Sequence, residues 1–278
     1  MGIGMWNGGS LAQADTGRAA TGAAGPLVLL HAFPVDHRLW QGVADLLAGI
    51  PVLLVDLPGA GASAPPDPAA VAAWPSAVDG VAAQVDEAVR ARGYDHAVVA
   101  GISMGGYVAM ATVRQAPAGF LQGLALLDTK HTVDAPEAAA SRHAMAREVL
   151  ATGAVDAALP MGERLLAPGA AESEPELVRL VRGWIREQLP AGIAWCQEMM
   201  ATRPDSTETL RSVTVPAAVI VGEADRQATV DAVREMARLI PGAELTVVPG
   251  AGHLTPLEAP EAVAAALRAL YGRAVASR

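Results

Sequence analysis

Residues 98–110 read VVAGISMGGYVAM, and this stretch decides the fold. A short run of branched apolar residues leads into Gly101-Ile-Ser103-Met-Gly105, and a further apolar segment follows. Short apolar runs bounded by glycine are typical of buried strands, so the stretch predicts a strand, a tight turn and a helix. The turn has two interpretations. It is either a purely structural turn that needs small residues, or one that presents a reactive Ser103.

Five further apolar runs have the same character, and helical segments separate most of them. They are PLVLL at 26–30, PVLLV at 51–55, LALL at 124–127, AAVIV at 217–221 and LTVV at 245–248. Continuous apolar strands that alternate with helices indicate a mostly parallel sheet covered on both faces. The pattern therefore predicts an α/β fold.

Helices are also visible in the sequence. Residues Ser76–Arg92 begin at a capping serine, place valines on one face and stop before Gly93. Val230–Leu239 and Pro260–Tyr271 show similar patterns in the C-terminal third. Near the N-terminus, Gly8-Gly9 is a candidate hairpin turn.

The middle of the chain differs from both ends because it contains no convincing strand. Its helical segments are residues 136–150, 175–188 and 193–201. A helical insert between two strands of a sheet is commonly a cap over a pocket. We therefore expect an α/β core formed by residues 1–129 and 204–278, and a helical lid formed by residues 130–203.

Composition narrows the function classes. The chain has 278 residues, 52% of them hydrophobic, and a formal net charge of −9, which argues against nucleic acid or an anionic membrane as the main partner. A single cysteine, Cys196, excludes an intramolecular disulfide and a cysteine-based metal site. No signal peptide and no apolar run of about 20 residues is evident. We expect a cytoplasmic monomer or homodimer that needs no cofactor and no metal.

Two later segments supply partners for a reactive serine, which needs a base and an acid that orients the base. His253 follows the last apolar run in the loop PGAGH, and Asp225 follows the preceding run in VGEAD. Side chains after parallel strands gather at one edge of the sheet. Glu223 and Asp128 are alternative acids, since each also follows an apolar run.

A serine nucleophile also needs donors that stabilise a developing oxyanion. The segment Leu30-His31-Ala32-Phe33-Pro34 follows the first long strand, so the backbone N–H of Phe33 is one candidate donor. The N–H of Met104, directly after Ser103, is the second. The same segment could equally be an ordinary turn that ends a strand.

Five motifs in this order resemble the α/β-hydrolase superfamily: HAFP at 31–34, DLPGAGAS at 56–63, GISMGG at 101–106, GEAD at 222–225 and GAGH at 250–253. The resemblance implies an eight-stranded, mostly parallel sheet with a helical lid between its sixth and seventh strands. Three further segments are similar to the branch of small serine esterases and 3-oxoadipate enol-lactonases: LLDT at 126–129, RPDS at 203–206 and HLTPLE at 253–258. One departure is Ala32, where the family usually has glycine.

The resemblance predicts a serine hydrolase that cleaves a carboxylic ester or lactone of a small, largely apolar substrate. Alternatives are a non-hydrolytic or C–C bond-cleaving enzyme of a biosynthetic pathway, or a ligand-binding receptor with slow hydrolysis. Lys130, Arg142 and Arg203 could meet a substrate carboxylate, although charged lid residues are usually solvated. Apolar and aromatic side chains that could line the pocket, or simply pack helices, are His31, Trp40, Met145, Met161, Trp184, Trp195, Met199 and Met200.

Overall fold

The computed structural model describes residues 2–4, 12–15, 25–67 and 73–277, and the candidate turn at Gly8-Gly9 lies outside them. In chain order the strands are β1 (Gly2–Gly4), β2 (Ala12–Asp15), β3 (Leu27–Leu30), β4 (Val52–Asp56), β5 (Ala97–Ile102), β6 (Leu121–Leu127), β7 (Ala217–Gly222) and β8 (Glu244–Val248). Their order in the sheet is β1-β2-β4-β3-β5-β6-β7-β8.

The predicted fold class is confirmed, with one correction to the sheet. Six strands, β3 to β8, form the parallel body. The other two of the expected eight are short and antiparallel, since β1 pairs with β2 and β2 pairs with β4 at the sheet edge. Strands β3, β4, β5 and β7 are buried along their whole length, because helices cover both faces of the parallel sheet.

Helices fill the intervals between the strands. They are α1 (Gln41–Leu46), α2 (Ala77–Ala91), α3 (Met104–Gln115), α4 (Pro136–Thr152), α5 (Met161–Arg164), α6 (Ala170–Ser173), α7 (Pro175–Arg186), α8 (Pro190–Ala201), α9 (Thr207–Arg211), α10 (Val230–Leu239), α11 (Thr255–Glu258) and α12 (Pro260–Ala276). The predicted cap of α2 is confirmed, since the Ser76 side chain accepts from the backbone N–H of Asp79. Helix α12 continues five residues beyond the predicted end at Tyr271.

The segment between β6 and β7 contains helices α4 to α9 and, among the described residues, no strand. This insert packs on the loop after β4 by close backbone contact: a Cβ at Gly192 would overlap the carbonyl oxygen of Gly59. The Gln188 side chain bridges the insert to the core, because it accepts the N–H of Gly61 at 2.9 Å and donates to Asp36 Oδ2 at 2.9 Å. The insert is therefore fastened at specific points above the carboxyl edge of the sheet.

Within the described ranges, no helix is both long enough and apolar enough to cross a lipid bilayer.

Candidate active site

Ser103 occupies the sharp turn between β5 and α3 with φ 51° and ψ −112°, a region that non-glycine residues rarely enter. A Cβ on Gly101 would overlap the carbonyl oxygen of Gly105, and a Cβ on Gly105 would overlap that of Leu30. Both glycines are therefore required by close backbone approach. Thr129 Oγ1 donates to the Ser103 carbonyl at 2.8 Å, which ties this turn to the end of β6.

His253 and Asp225 meet at the same edge of the sheet. Nδ1 of His253 lies 2.7 Å from Oδ2 of Asp225, and both residues are 5% exposed. The other carboxylate oxygen accepts the backbone N–H groups of Gln227 at 2.6 Å and Ala228 at 3.0 Å, which fixes the carboxylate plane. The backbone N–H of His253 donates to the backbone carbonyl of Leu165 in the insert at 2.9 Å. With Nδ1 directed to the carboxylate, Nε2 is the ring nitrogen left for proton transfer.

The two alternative acids have other partners. Asp128 is fully buried, accepts the N–H of Gly222 at 2.8 Å and accepts a short hydrogen bond from the Thr255 hydroxyl. Burial, and then the nearby charge of Asp225, raise the pKa of Asp128 well above its usual value of 3.8. Glu223 instead accepts a backbone N–H at 3.0 Å in an exposed turn. Of the three candidate carboxyls, Asp225 alone contacts the histidine ring.

The two candidate oxyanion donors belong to two segments, Phe33 to the loop after β3 and Met104 to the start of α3. Among the described residues, neither the N–H of Phe33 nor that of Met104 has a hydrogen-bond acceptor. The next N–H in the chain, from Gly105, already donates to the carbonyl of His31 at 3.1 Å, which brings the two segments together. Ala32 is fully buried, so its methyl group packs into the core. The arrangement leaves two backbone donors available to a ligand oxygen.

A partly open cavity lies above Ser103, and its empty space, which includes open solvent, is about 440 Å³. Its lining combines the serine and the histidine with side chains from the ends of β6 and β7 and from the insert. The lining residues are Phe33, Ser103, Tyr107, Asp128, Thr129, Lys130, Arg142, Met161, Leu165, Met200, Gln227, Ala228 and His253. The cavity is therefore polar at several points.

The sequence-based prediction of the pocket lining differs from this set. Of the eight candidates, Met161 and Met200 lie on the cavity wall, whereas six do not: His31, Trp40, Met145, Trp184, Trp195 and Met199. His31 is fully buried, its Nε2 accepts the N–H of Leu57 at 2.9 Å, and burial lowers its pKa. Trp40 is fully buried in the core. These two side chains support the loops beneath the site.

The other four candidates in the insert pack within it or against the core. Gln197 Nε2 lies 2.9 Å from Met145 Sδ, and Met199 is 1% exposed between packed helices. The ring of Trp184 lies 5.5 Å from the guanidinium of Arg38. Trp195 packs at Gly59, where its Cδ1 would lie 3.0 Å from an added Cβ. These four side chains do not line this cavity, since apolar helix residues serve packing as readily as binding.

Several lining residues were not proposed from the sequence. Thr129 follows β6 directly and Gln227 lies two positions after Asp225, so proximity to strand ends is a signal that could have found both. Tyr107 lies one helical turn after Ser103, which also brings it near the site. Leu165 belongs to the insert, and no local sequence signal distinguishes it from packing residues.

A separate cluster brings three potential metal ligands together away from Ser103. Ligand atoms of Asp36, His37 and Asp56 lie within 4.8 Å of one another. Each carboxylate already has protein partners, however: Asp36 forms an ion pair with Arg38 at 2.7 Å, and Asp56 lies 2.8 Å from His37 Nδ1 and accepts the N–H of Ala62 at 3.0 Å. Hydrogen bonds within the protein account for this cluster.

Comparison with known proteins gives the family. The model of the alpha/beta hydrolase family matches residues 27–266, which is most of the chain and includes every residue of the site described above. The chain belongs to the alpha/beta hydrolase family. The α/β-hydrolase resemblance drawn from the five motifs is thereby confirmed, and this family membership identifies the chain as a hydrolase of that fold.

Solved structures extend this result. A thermophilic esterase from Thermogutta terrifontis, in a malate-bound structure, is similar with 33% identity and a TM-score of 0.85, over 95% of this chain and 93% of that chain. An enol-lactonase from Burkholderia xenovorans LB400 has 24% identity and a TM-score of 0.77, over 94% and 97%. A bromoperoxidase from Bacillus anthracis has 15% identity and a TM-score of 0.79, over 94% and 95%. The last two likenesses show the fold alone.

Proposed function

We propose that this hydrolase cleaves a carboxylic ester or lactone through an acyl-enzyme formed on Ser103. The observation that carries the proposal is the 2.7 Å contact between His253 and Asp225, in a site where Ser103 and His253 line one cavity. A base oriented by a carboxylate beside a serine on a strained turn is the arrangement that activates a hydroxyl group.

In this mechanism Ser103 Oγ attacks the substrate carbonyl while His253 Nε2 accepts its proton. Asp225 holds the imidazole in the required tautomer and stabilises the imidazolium that forms. The free N–H groups of Phe33 and Met104 receive the oxyanion, and donors of this kind commonly contribute about 3 kcal/mol each to the transition state. His253 then protonates the leaving alcohol, activates water, and the acid is released.

The cavity lining modifies one part of the sequence-based expectation. A largely apolar substrate was expected, yet Lys130, Arg142, Gln227 and Asp128 lie on the wall beside the apolar side chains. A substrate with both apolar and polar parts is the better match to such a wall.

A fluorophosphonate probe tests the nucleophile directly, since it labels an activated serine. We expect wild-type protein to be labelled at Ser103 and the Ser103→Ala variant to be unlabelled. A panel of aryl esters, thioesters and lactones is then measured with both proteins. Turnover by wild type alone supports an esterase or lactonase. Absence of labelling at Ser103 contradicts the proposal, and labelling without any ester or lactone turnover favours a non-hydrolytic reaction or a receptor.

A further inference from the structure

Lys130 is unusual in this chain because it is its only lysine: of the 20 lysine and arginine residues, 19 are arginine. It lies three positions after the end of β6, at the edge of the sheet that carries Ser103, and it lines the cavity with Ser103 and His253. A lysine is a compact charge on a flexible stem, whereas arginine is a rigid planar fork, so the two are not interchangeable at a binding site.

The Lys130 ammonium group has no partner among the described residues. Within the described ranges it forms no hydrogen bond and no ion pair, and the residue is exposed. Arg142 lines the same cavity from helix α4 of the insert and is only partly engaged. Its Nε donates to Asp134 at 2.6 Å and its Nη1 to Gln197 at 3.1 Å, whereas Nη2 has no acceptor among the described residues. Two cationic donors are thus available in one cavity.

Asp134, the acid that Arg142 contacts, is shared between two arginines. Asp134 Oδ2 accepts from Arg142, and Asp134 Oδ1 accepts from Arg203 Nη2 at 2.7 Å. The two guanidinium groups hold the pKa of Asp134 down to about 2. The Arg203 side chain is 3% exposed and its guanidinium lies 4.2 Å from the ring of Tyr107. Asp134 and Arg203 therefore position Arg142. Because the single negative charge of Asp134 faces two arginines, the group keeps a net positive charge.

No lining group cancels that excess. The only carboxyl on the cavity wall of the described structure is Asp128, and its burial disfavours the charged form. Tyr107, Thr129 and Gln227 are neutral. The cavity wall therefore carries a positive charge, although the formal net charge of the protein is −9. The positive charge is thus local to the cavity and is not a property of the whole protein.

We infer that Lys130 Nζ and Arg142 Nη2 form a carboxylate-binding subsite, and that the ester or lactone cleaved at Ser103 carries a carboxylate group remote from its scissile carbonyl. This inference rests on the proposed function, because it names the substrate class of the same site. Lys130 and Arg142 are then specificity-determining residues. They select the anion while the serine, histidine and aspartate act on the carbonyl.

Matched ester pairs test the subsite on either side of the scissile bond. On the acyl side, mono-4-nitrophenyl esters of succinic, glutaric and adipic acid are compared with their carboxamide counterparts. On the alcohol side, 4-carboxyphenyl acetate is compared with 4-carbamoylphenyl acetate. We expect kcat/KM to favour the carboxylate member of at least one pair by about 10- to 100-fold, the factor that a charged hydrogen bond commonly supplies.

Variants then assign the preference to residues. Lys130→Met is expected to lower the preference about tenfold, mainly through KM, and Lys130→Arg to restore part of it. Arg147→Met is the matched control. Arg147 is an exposed cation on α4, the helix that carries Arg142, and it does not line the cavity. A carboxylate preference that is absent in wild type, or equal in wild type and Lys130→Met, overturns the inference while Ser103-dependent turnover still supports the proposed function.

A labelling measurement needs no turnover. Since Lys130 is the only lysine, an N-hydroxysuccinimidyl acetate reagent followed by peptide mass spectrometry reports on one ε-amine. In the Ser103→Ala variant we expect glutarate to slow acetylation of Lys130 several-fold relative to glutaramide at equal ionic strength. Protection without any ester turnover supports the subsite and contradicts the proposed function. Equal labelling rates with the two compounds, together with equal turnover of the paired esters, overturn the subsite.

Discussion

Asp225 Oδ2 lies 2.7 Å from His253 Nδ1, although a second buried carboxyl, Asp128, lies at the same edge of the sheet. The two acids differ in their donors. Asp225 accepts two backbone N–H groups through Oδ1 and keeps Oδ2 for the histidine, whereas both oxygens of Asp128 are occupied by Gly222 and Thr255. Two carboxyls in one small volume thus have separate roles, one toward the imidazole and one within the scaffold.

Substitution of these two acids by asparagine is expected to have very different effects. Asp225→Asn is predicted to lower kcat by about 10³- to 10⁴-fold, because an amide favours the wrong imidazole tautomer. Asp128→Asn is predicted to lower kcat by less than about tenfold, since an amide resembles the uncharged carboxyl that burial favours there. Steady-state hydrolysis of a 4-nitrophenyl ester measures both. Similar losses in the two variants would show that Asp128 takes part in catalysis.

Two glycines in the insert form a matched pair for testing how it is attached. A Cβ at Gly192 in α8 would overlap the carbonyl oxygen of Gly59, whereas a Cβ at Gly183 in α7 would have no described atom within 4 Å apart from its chain neighbours and its own helix backbone. Gly192→Ala is predicted to lower the free energy of unfolding by about 1–3 kcal/mol, as overpacking does. Gly183→Ala is predicted to raise it by about 0.5–1 kcal/mol, because alanine is the better helix former. Urea unfolding of both variants measures the difference, and equal shifts would argue against the close contact.

His37 provides a prediction about pH and stability. Its Nδ1 lies 2.8 Å from Asp56 Oδ1, and the hydrogen bond to that carboxylate raises the pKa of His37 above 6.5 in the folded protein. A raised pKa means that the stabilisation is fully present below about pH 6.5 and is lost as the pH rises through the folded value.

The comparison with His37→Asn isolates this charge, because asparagine keeps a neutral donor. We expect wild type to exceed the variant in free energy of unfolding by more at pH 5.5 than at pH 8.5, measured by urea unfolding. A difference between the two proteins that does not change with pH would contradict the assigned ion pair.

Local chemistry explains what could be predicted from the sequence. The apolar runs became strands because uninterrupted branched residues suit a sheet buried on both faces. The turn at Ser103 could be recognised because Gly101 and Gly105 stand where any side chain would overlap backbone. The positions of Asp225 and His253 after strands followed from the rule that parallel strands end at one edge. Each of these inferences depends on a residue and its neighbours in the chain.

Contacts between distant segments decided the rest. Met199 and Met200 are adjacent in α8, yet Met200 lines the cavity and Met199 packs away from it. Successive helical residues point about 100° apart, and the rotation of a lid helix over its pocket is set by packing against the core. Choosing between Asp128 and Asp225 likewise required the positions of Thr255 and Gly222.

The sequence by itself determined the α/β-hydrolase family, the order of its strands and helices along the chain, and the strained turn that carries Ser103, because hydrophobic periodicity and glycine sterics act over a few residues. Only the tertiary structure decided which carboxyl meets His253 and which charged side chains line the cavity. Those relationships join distant residues, since Asp128 is 94 positions from Gly222 and 127 from Thr255, and only packing of the folded chain brings them within hydrogen-bond distance.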